Sequence, residues 1–166
     1  MPAELIYEKE KADTKIRTTT GKVIAVSISK RKGIPKTNTD SAKLIENYGI
    51  EGDIHAGTWH RQISFLALES IDKMRKSGLP GLRSGAFAEN ITTEFLNLPS
   101  IRVGTRMQIG DEAVIEITQI GKECHTRCAI YAKVGDCVMP REGIFGKVIK
   151  SGEIRINDEI IILERA

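Results

Sequence analysis

The sequence predicts a mainly β domain, barrel-like, with a few short helices. Three observations carry that expectation. Short runs rich in β-branched residues recur along the chain, as in Val23-Ile24-Ala25-Val26 and Phe145 to Ile149. Fifteen glycines punctuate the 166 residues and favour a turn-rich fold. Stretches with helical periodicity are few. Four Phe, three Tyr and one Trp make the chain poor in aromatics, so the core must consist mainly of Ile, Leu and Val.

Residues 1–20 are polar, carrying Glu8-Lys9-Glu10-Lys11 and Thr18-Thr19-Thr20, and read as a flexible N-terminal arm. The alternative there is an edge strand through Leu5-Ile6-Tyr7. The domain proper is expected over residues 21–166. Its first strand, Gly21 to Ser29, ends in the basic loop Lys30-Arg31-Lys32-Gly33-Ile34-Pro35-Lys36. Ser41 to Tyr48 fits a short helix or an irregular strand, and Gly49 to Asp53 is a loop.

Gln62 to Leu66 reads as a buried strand feeding a helix, with Ala67, Ile71 and Met74 on one face and Ser77-Gly78 at its end. Pro80 to Gly85 is loop. Gly104 to Gln119 reads as two strands joined at Gly110-Asp111. In the second, Ala113, Ile115 and Ile117 alternate with Val114, Glu116 and Thr118. Thr126 to Val134 suits a short helix. Strands at Phe145 to Ile149 and Glu159 to Leu163 flank a turn at Ser151-Gly152.

At this length one domain with a real core is expected, and two would be cramped. The formal net charge of +3 is too mild to predict nucleic-acid binding, and no arginine-rich stripe is interleaved with aromatics. A pocket for a small anion needs only two or three cations. No apolar run is long enough to cross a membrane, and residues 1–20 lack a signal-peptide layout. Three cysteines cannot all pair within one chain, so the expected setting is cytoplasmic, with reduced thiols. No Walker loop, GxGxxG fingerprint or nucleophile elbow is present.

Cys124 stands among Lys122, His125 and Arg127, and cationic neighbours stabilise the thiolate that attacks sulfur or binds a soft metal. A small buried hydrophobe is the plain alternative. Cys124, His125, Cys128 and Cys137 also suggest zinc, but the spacing is loose and all four come from one short stretch. Asp53, His55, His60 and Arg61 form the densest polar cluster. A hydrogen-bonded loop, an anion site gripped by Arg61, and a metal site are each compatible with it. Lys36, after Pro35, is the lysine of the basic loop expected to point at a ligand. In a barrel, the loops carrying Lys36 and Arg61 are expected to gather at one mouth.

Taken in order, several segments resemble the MOSC family, named for the C-terminal domain of molybdenum-cofactor sulfurases. They are Gly21 to Val26, Gly33-Ile34-Pro35-Lys36, Gly49 to Gly57, His60-Arg61-Gln62-Ile63-Ser64 and Gly85-Ala86-Phe87-Ala88-Glu89-Asn90-Ile91. The Gly104-Thr105 to Ile109-Gly110 turn follows, then Thr118-Gln119 with Cys124 five residues on. The likeness covers roughly residues 21–164. Its order and spacing make it specific. Ile120-Gly121-Lys122-Glu123 stands where many members carry prolines, and Cys128 adds a thiol that many lack.

The resemblance implies a MOSC-type barrel and association with molybdenum cofactor. Cys124 matches the family cysteine by position, expected to hold a persulfide or to ligate molybdenum. Asp53, His55, Arg61 and Asn90 fall on motif positions expected near the pocket, and Lys36 matches more loosely. Arg61 and Lys36 are then expected to neutralise the pterin phosphate, and His55 and Asn90 to hydrogen-bond the pterin. The implied function is a cofactor-binding or sulfur-carrier module. The alternatives are a molybdenum-dependent reductase of N-hydroxylated compounds or a non-catalytic regulatory module. If it is an enzyme, it is expected to be a sulfur transferase or a reductase component. Implied partners are the cofactor or its biosynthetic proteins and a separate sulfur donor such as a cysteine desulfurase. No pyridoxal phosphate is expected within this chain.

Overall fold

The protein, a computed structural model, is described over residues 17–122 and 137–163. Cys124, His125, Cys128 and the helix expected over Thr126 to Val134 lie outside the described residues. Strands β1 (Arg17–Ile28), β5 (Ile63–Ala67), β6 (Ile91–Glu94), β7 (Arg106–Ile109), β8 (Ala113–Ile120), β9 (Ile144–Lys150) and β11 (Glu159–Leu163) close a seven-stranded barrel. The closing seam is β1 against β11, where Gly21 pairs with Ile160 and Lys22 with Glu159. Short strand β2 (Thr37–Thr39) extends the sheet beside the far end of β1. Strands β3 (Ser41–Ile45), β4 (Gly49–Ile50) and β10 (Gly152–Arg155) form a second, antiparallel sheet.

Strand β1 begins at Arg17, four residues earlier than Gly21, so residues 17–20 of the expected arm belong to the barrel. Ser41–Ile45 is strand rather than helix. Strand β10 was not foreseen: only Ile154 of its four residues is buried, so its pattern carries no periodicity.

Strand β5 explains its own apolar run. Successive side chains of a strand point to opposite faces. Ile63, Phe65 and Ala67 enter the barrel core, while Leu66 joins a second cluster with Ile71, Met74, Phe87, Met139 and Phe145. Both faces are covered, so no polar alternation survives. Strands β5 and β6 are parallel, which requires a crossover. Helix α1 (Leu68–Lys76) lies in it, burying Ile71 and Met74. Each such burial is worth roughly 1.5–3 kcal/mol. Glu69 in its first turn and Lys73, Arg75 and Lys76 in its last complement the helix dipole. Ala67, expected on the helix face, instead ends the strand and points into the barrel.

The alternation expected in β8 holds: Ala113, Ile115 and Ile117 are fully buried. The core is aliphatic, with Phe65 the one aromatic ring wholly excluded from solvent among the described residues. A short helix α2 (Met139–Glu142) precedes β9. No helix among the described residues is long and apolar enough to cross a membrane.

Candidate functional site

A row of residues runs across four barrel strands. Phe145 of β9 pairs with Ser64 of β5. Ser64 lies beside Asn90, which directly precedes β6, and the Asn90 carbonyl accepts the Ser27 N–H of β1 at 2.7 Å. Ser64 shares the outward face of Leu66, so this row faces away from the barrel core. Phe145, Ser64 and Asn90 form the floor of a cleft of about 350 Å³. The cleft therefore lies on the outer wall of the barrel, beside the face that α1 covers, and not at a barrel mouth.

Asn90 is fixed in this floor. Its side-chain oxygen accepts the Ser64 N–H at 3.0 Å and the Ser64 hydroxyl at 3.2 Å, and its amide donates to the Ser27 carbonyl at 3.1 Å. Those bonds lock three strands at one level. Beside it, the loop Gly85 to Glu89 turns back over the wall. Gly85 has φ +93°, and a Cβ there would stand 2.4 Å from the Lys36 carbonyl oxygen, so only glycine lets the two backbones meet. Glu89 is fully buried inside this turn. One of its oxygens accepts the Phe87 N–H at 3.2 Å, and the other has no partner among the described residues. Burial pushes its carboxyl up to about 7, against the lowering pull of the backbone N–H groups around it.

The loop between β4 and β5 supplies the cleft's polar wall. Asp53 organises it: one carboxylate oxygen accepts the Ser29 N–H at 3.0 Å, and the other accepts the His55 N–H at 3.2 Å, a local Asx-type turn. The Lys36 ammonium donates to Asp53 at 2.7 Å and stands 2.8 Å from His55 Nδ1. Both the Lys36 and Asp53 side chains are wholly buried. Burial pulls the Lys36 ammonium below the usual lysine range, against the raising effect of the Asp53 hydrogen bond and charge. His55 is held below the usual histidine value by burial, then by the charge of Lys36, with Asp53 opposing and Lys122 and Lys32 adding to the depression.

Further along the loop, the Trp59 indole N–H donates to the His55 carbonyl at 2.7 Å. The Arg61 guanidinium lies over the Trp59 ring, 4.8 Å from its centre, and over that of Phe145 at 5.5 Å. Arg61 Nε is buried with no hydrogen-bond partner among the described residues. A latch ties this loop to the end of β8: His60 Nε2 meets the Gln119 side-chain oxygen at 2.8 Å, and the Thr118 hydroxyl donates to the His60 carbonyl. Beyond the latch, Gly121 takes φ +69°, where a Cβ would stand 2.5 Å from the Pro140 carbonyl oxygen. Lys122 follows and lines the cleft.

Of the residues expected from sequence, His55, Arg61 and Asn90 line the cleft. Asp53 and Lys36 lie beneath it. Lys36 is not among the lining residues, and its ammonium meets Asp53 and His55. The cations that do line the cleft with Arg61 are Lys32 and Lys122. Lys32 was legible only as a member of the basic loop and Lys122 only as a neighbour of Cys124. Trp59, Phe87 and Phe145 carried no signal of their own. Cys124 lies outside the described residues. No carboxylate stands among the described lining residues. Asp53, His55 and His60 do not gather as a metal site: the described residues hold no such group, and His60 is engaged by Gln119.

The barrel fold is shared with proteins of known structure. The YuaD protein of Bacillus subtilis superposes with a TM-score of 0.74 at 19% identity, covering 89% of this chain and 97% of that one. YiiM of Escherichia coli gives 0.62 at 17%, covering 87% and 71%, and YiiM of Geobacillus stearothermophilus 0.66 at 17%, covering 87% and 76%. At these identities the likeness carries the fold alone. No curated protein matches the chain in sequence. The family model for the MOSC domain matches residues 51–161, a span holding His55, Arg61, Asn90 and Lys122, and the chain belongs to the MOSC domain family.

Proposed function

We propose that the protein is a molybdenum-cofactor-binding or sulfur-carrier module whose cleft receives the anionic pterin end of the cofactor. The observation that carries this reading is the lining. Lys32, Arg61 and Lys122 bring three positive charges, His55 adds a polar group, and no carboxylate among the described lining residues opposes them. The Arg61 guanidinium lines the cleft, and an oxyanion of the ligand offers it a charged acceptor. Trp59, Phe87 and Phe145 offer apolar surface for a flat ring system. The residues present thus fit a phosphorylated pterin.

Arg61 is the chief anchor, because its contacts with the Trp59 and Phe145 rings pre-set its planar fork. Lys32 and Lys122 add point charges at the rim. Lys36 acts from below, through His55. Cys124 follows Lys122 by two residues and is assigned the sulfur: a persulfide carrier or a thiolate ligand to molybdenum. When bound, the cofactor supplies a dithiolene-held metal, for which a thiolate is a fitting soft ligand.

The test is anaerobic mixing of purified protein with released cofactor, followed by gel filtration. Pterin and molybdenum are expected to co-elute with the wild type, and Cys124→Ala is expected to keep both while losing the thiolate bond to the metal or the capacity to hold a persulfide. Elution of the wild type with neither sinks the proposal.

A further inference from the structure

We propose that Lys36 is a positioning residue whose ammonium, donated to His55 Nδ1, fixes His55 as the neutral Nε2–H tautomer and so presents an N–H donor to the cleft. The geometry is on hand. Lys36 Nζ lies 2.7 Å from Asp53 Oδ1 and 2.8 Å from His55 Nδ1. An ammonium has donors and no acceptor. Facing it, Nδ1 must offer its lone pair, and the single proton of a neutral imidazole then sits on Nε2.

The charge state of Lys36 follows from its surroundings. Asp53 is fully buried and its carboxylate needs a counter-charge. Lys36 is the one cation within ion-pair distance of it among the described residues, apart from what His55 would carry if protonated. A proton on Nδ1 would point at that ammonium. The charged groups that face His55 are Lys36, Asp53, Lys122 and Lys32, three cations against one carboxylate, and their balance also opposes the imidazolium.

Two consequences follow. His55 meets its ligand as a donor, so the matching ligand atom is an acceptor: a ring nitrogen, a carbonyl oxygen or an oxyanion. His55 is also a poor metal ligand. Coordination through Nε2 requires that nitrogen's lone pair, hence a proton on Nδ1, which Lys36 opposes. Naming the ligand as a pterin rests on the function proposed above; the tautomer does not, and its measurement stands whatever the cleft binds.

The experiment is a long-range ¹H–¹⁵N correlation spectrum of the imidazoles in the full-length ¹⁵N-labelled chain across pH. The three histidines are assigned by His55→Gln, His60→Gln and the corresponding change at His125. The proposal expects His55 to show a protonated Nε2 and an unprotonated Nδ1 at neutral pH, becoming imidazolium only below the ordinary histidine range. In Lys36→Met it expects loss of that bias, with Nδ1–H appearing. A wild-type His55 protonated on Nδ1, or doubly protonated at neutral pH, overturns it, as does an unchanged tautomer in a folded Lys36→Met. If that variant does not fold, the wild-type spectrum decides alone.

Discussion

Lys36 and Asp53 form an ion pair 2.7 Å long with neither side chain reaching solvent. Such pairs are costly to break from one side, because the remaining charge stays buried without a partner. Lys36→Met or Asp53→Leu alone should lower the unfolding free energy by about 3–5 kcal/mol. The double variant should cost clearly less than the sum of the two. Urea unfolding of all four proteins checks this, and strict additivity would show that the pair does not act as a unit.

Glu89 links stability to pH. Its carboxyl rises from the ordinary 4.5 to about 7 in the folded protein. A raised carboxyl means that the folded state holds the proton more tightly than the unfolded chain, so stability falls as pH rises between those two values and the full cost is present above the upper one. That cost is on the order of 3 kcal/mol. Glu89→Gln mimics the protonated form and does not titrate. Its stability relative to wild type should therefore climb between acid and mildly alkaline pH, and a difference that stays flat would contradict the account.

Asn90 ties β1, β5 and β6 together through its amide. Asn90→Ala leaves a Ser64 N–H and a Ser27 carbonyl each short of a bond in a buried place. At about 1–3 kcal/mol for each orphaned group, the fold should lose several kcal/mol. Thermal unfolding reads the loss; a change within about 0.5 kcal/mol, typical of surface substitutions, would mean that the bridge is incidental.

The thiols should differ in rate. Cys124 follows Lys122 and precedes His125 and Arg127, whereas Cys137 follows Asp136. Cys137 also packs against the apolar cluster of Leu66, Met139 and Phe145. Cations lower a thiol's pKa, while a carboxylate and apolar burial raise it. Alkylation of the native protein near neutral pH, read by mass spectrometry, should label Cys124 first. Equal rates would count against its assigned role.

Much of the barrel was legible because its strands obey period-two burial, as Ala113, Ile115 and Ile117 do. The β5-to-α1 step was legible because a continuous apolar run gives way to helical spacing, although Ala67 closes the strand instead of opening the helix. Strand β10 was not, since one buried residue makes no pattern. The site shows a sharper limit. Sequence reveals that Lys36 is charged but not which way it points, and its direction depends on Asp53, seventeen residues away. The same lack of direction hid Lys32 and Lys122, which converge on the cleft only through the loop geometry around Asp53 and Gly121. The cleft's position on the outer wall follows from the parity of Ser64 in β5. That parity could be read only once β5's inner residues were known.

The central claim is that the cleft binds an anion through Arg61, and charge reversal tests it most directly. Arg61 lines the cleft between Trp59 and Phe145, while Lys76 is exposed at the end of α1. Affinity for released molybdenum cofactor is measured anaerobically for wild type, Arg61→Glu and Lys76→Glu. One lost charge-assisted hydrogen bond is worth about 1.5–3 kcal/mol. Arg61→Glu should therefore weaken binding roughly ten- to a hundredfold, with Lys76→Glu close to wild type. Equal weakening by both would mean diffuse charge attraction and would contradict the account.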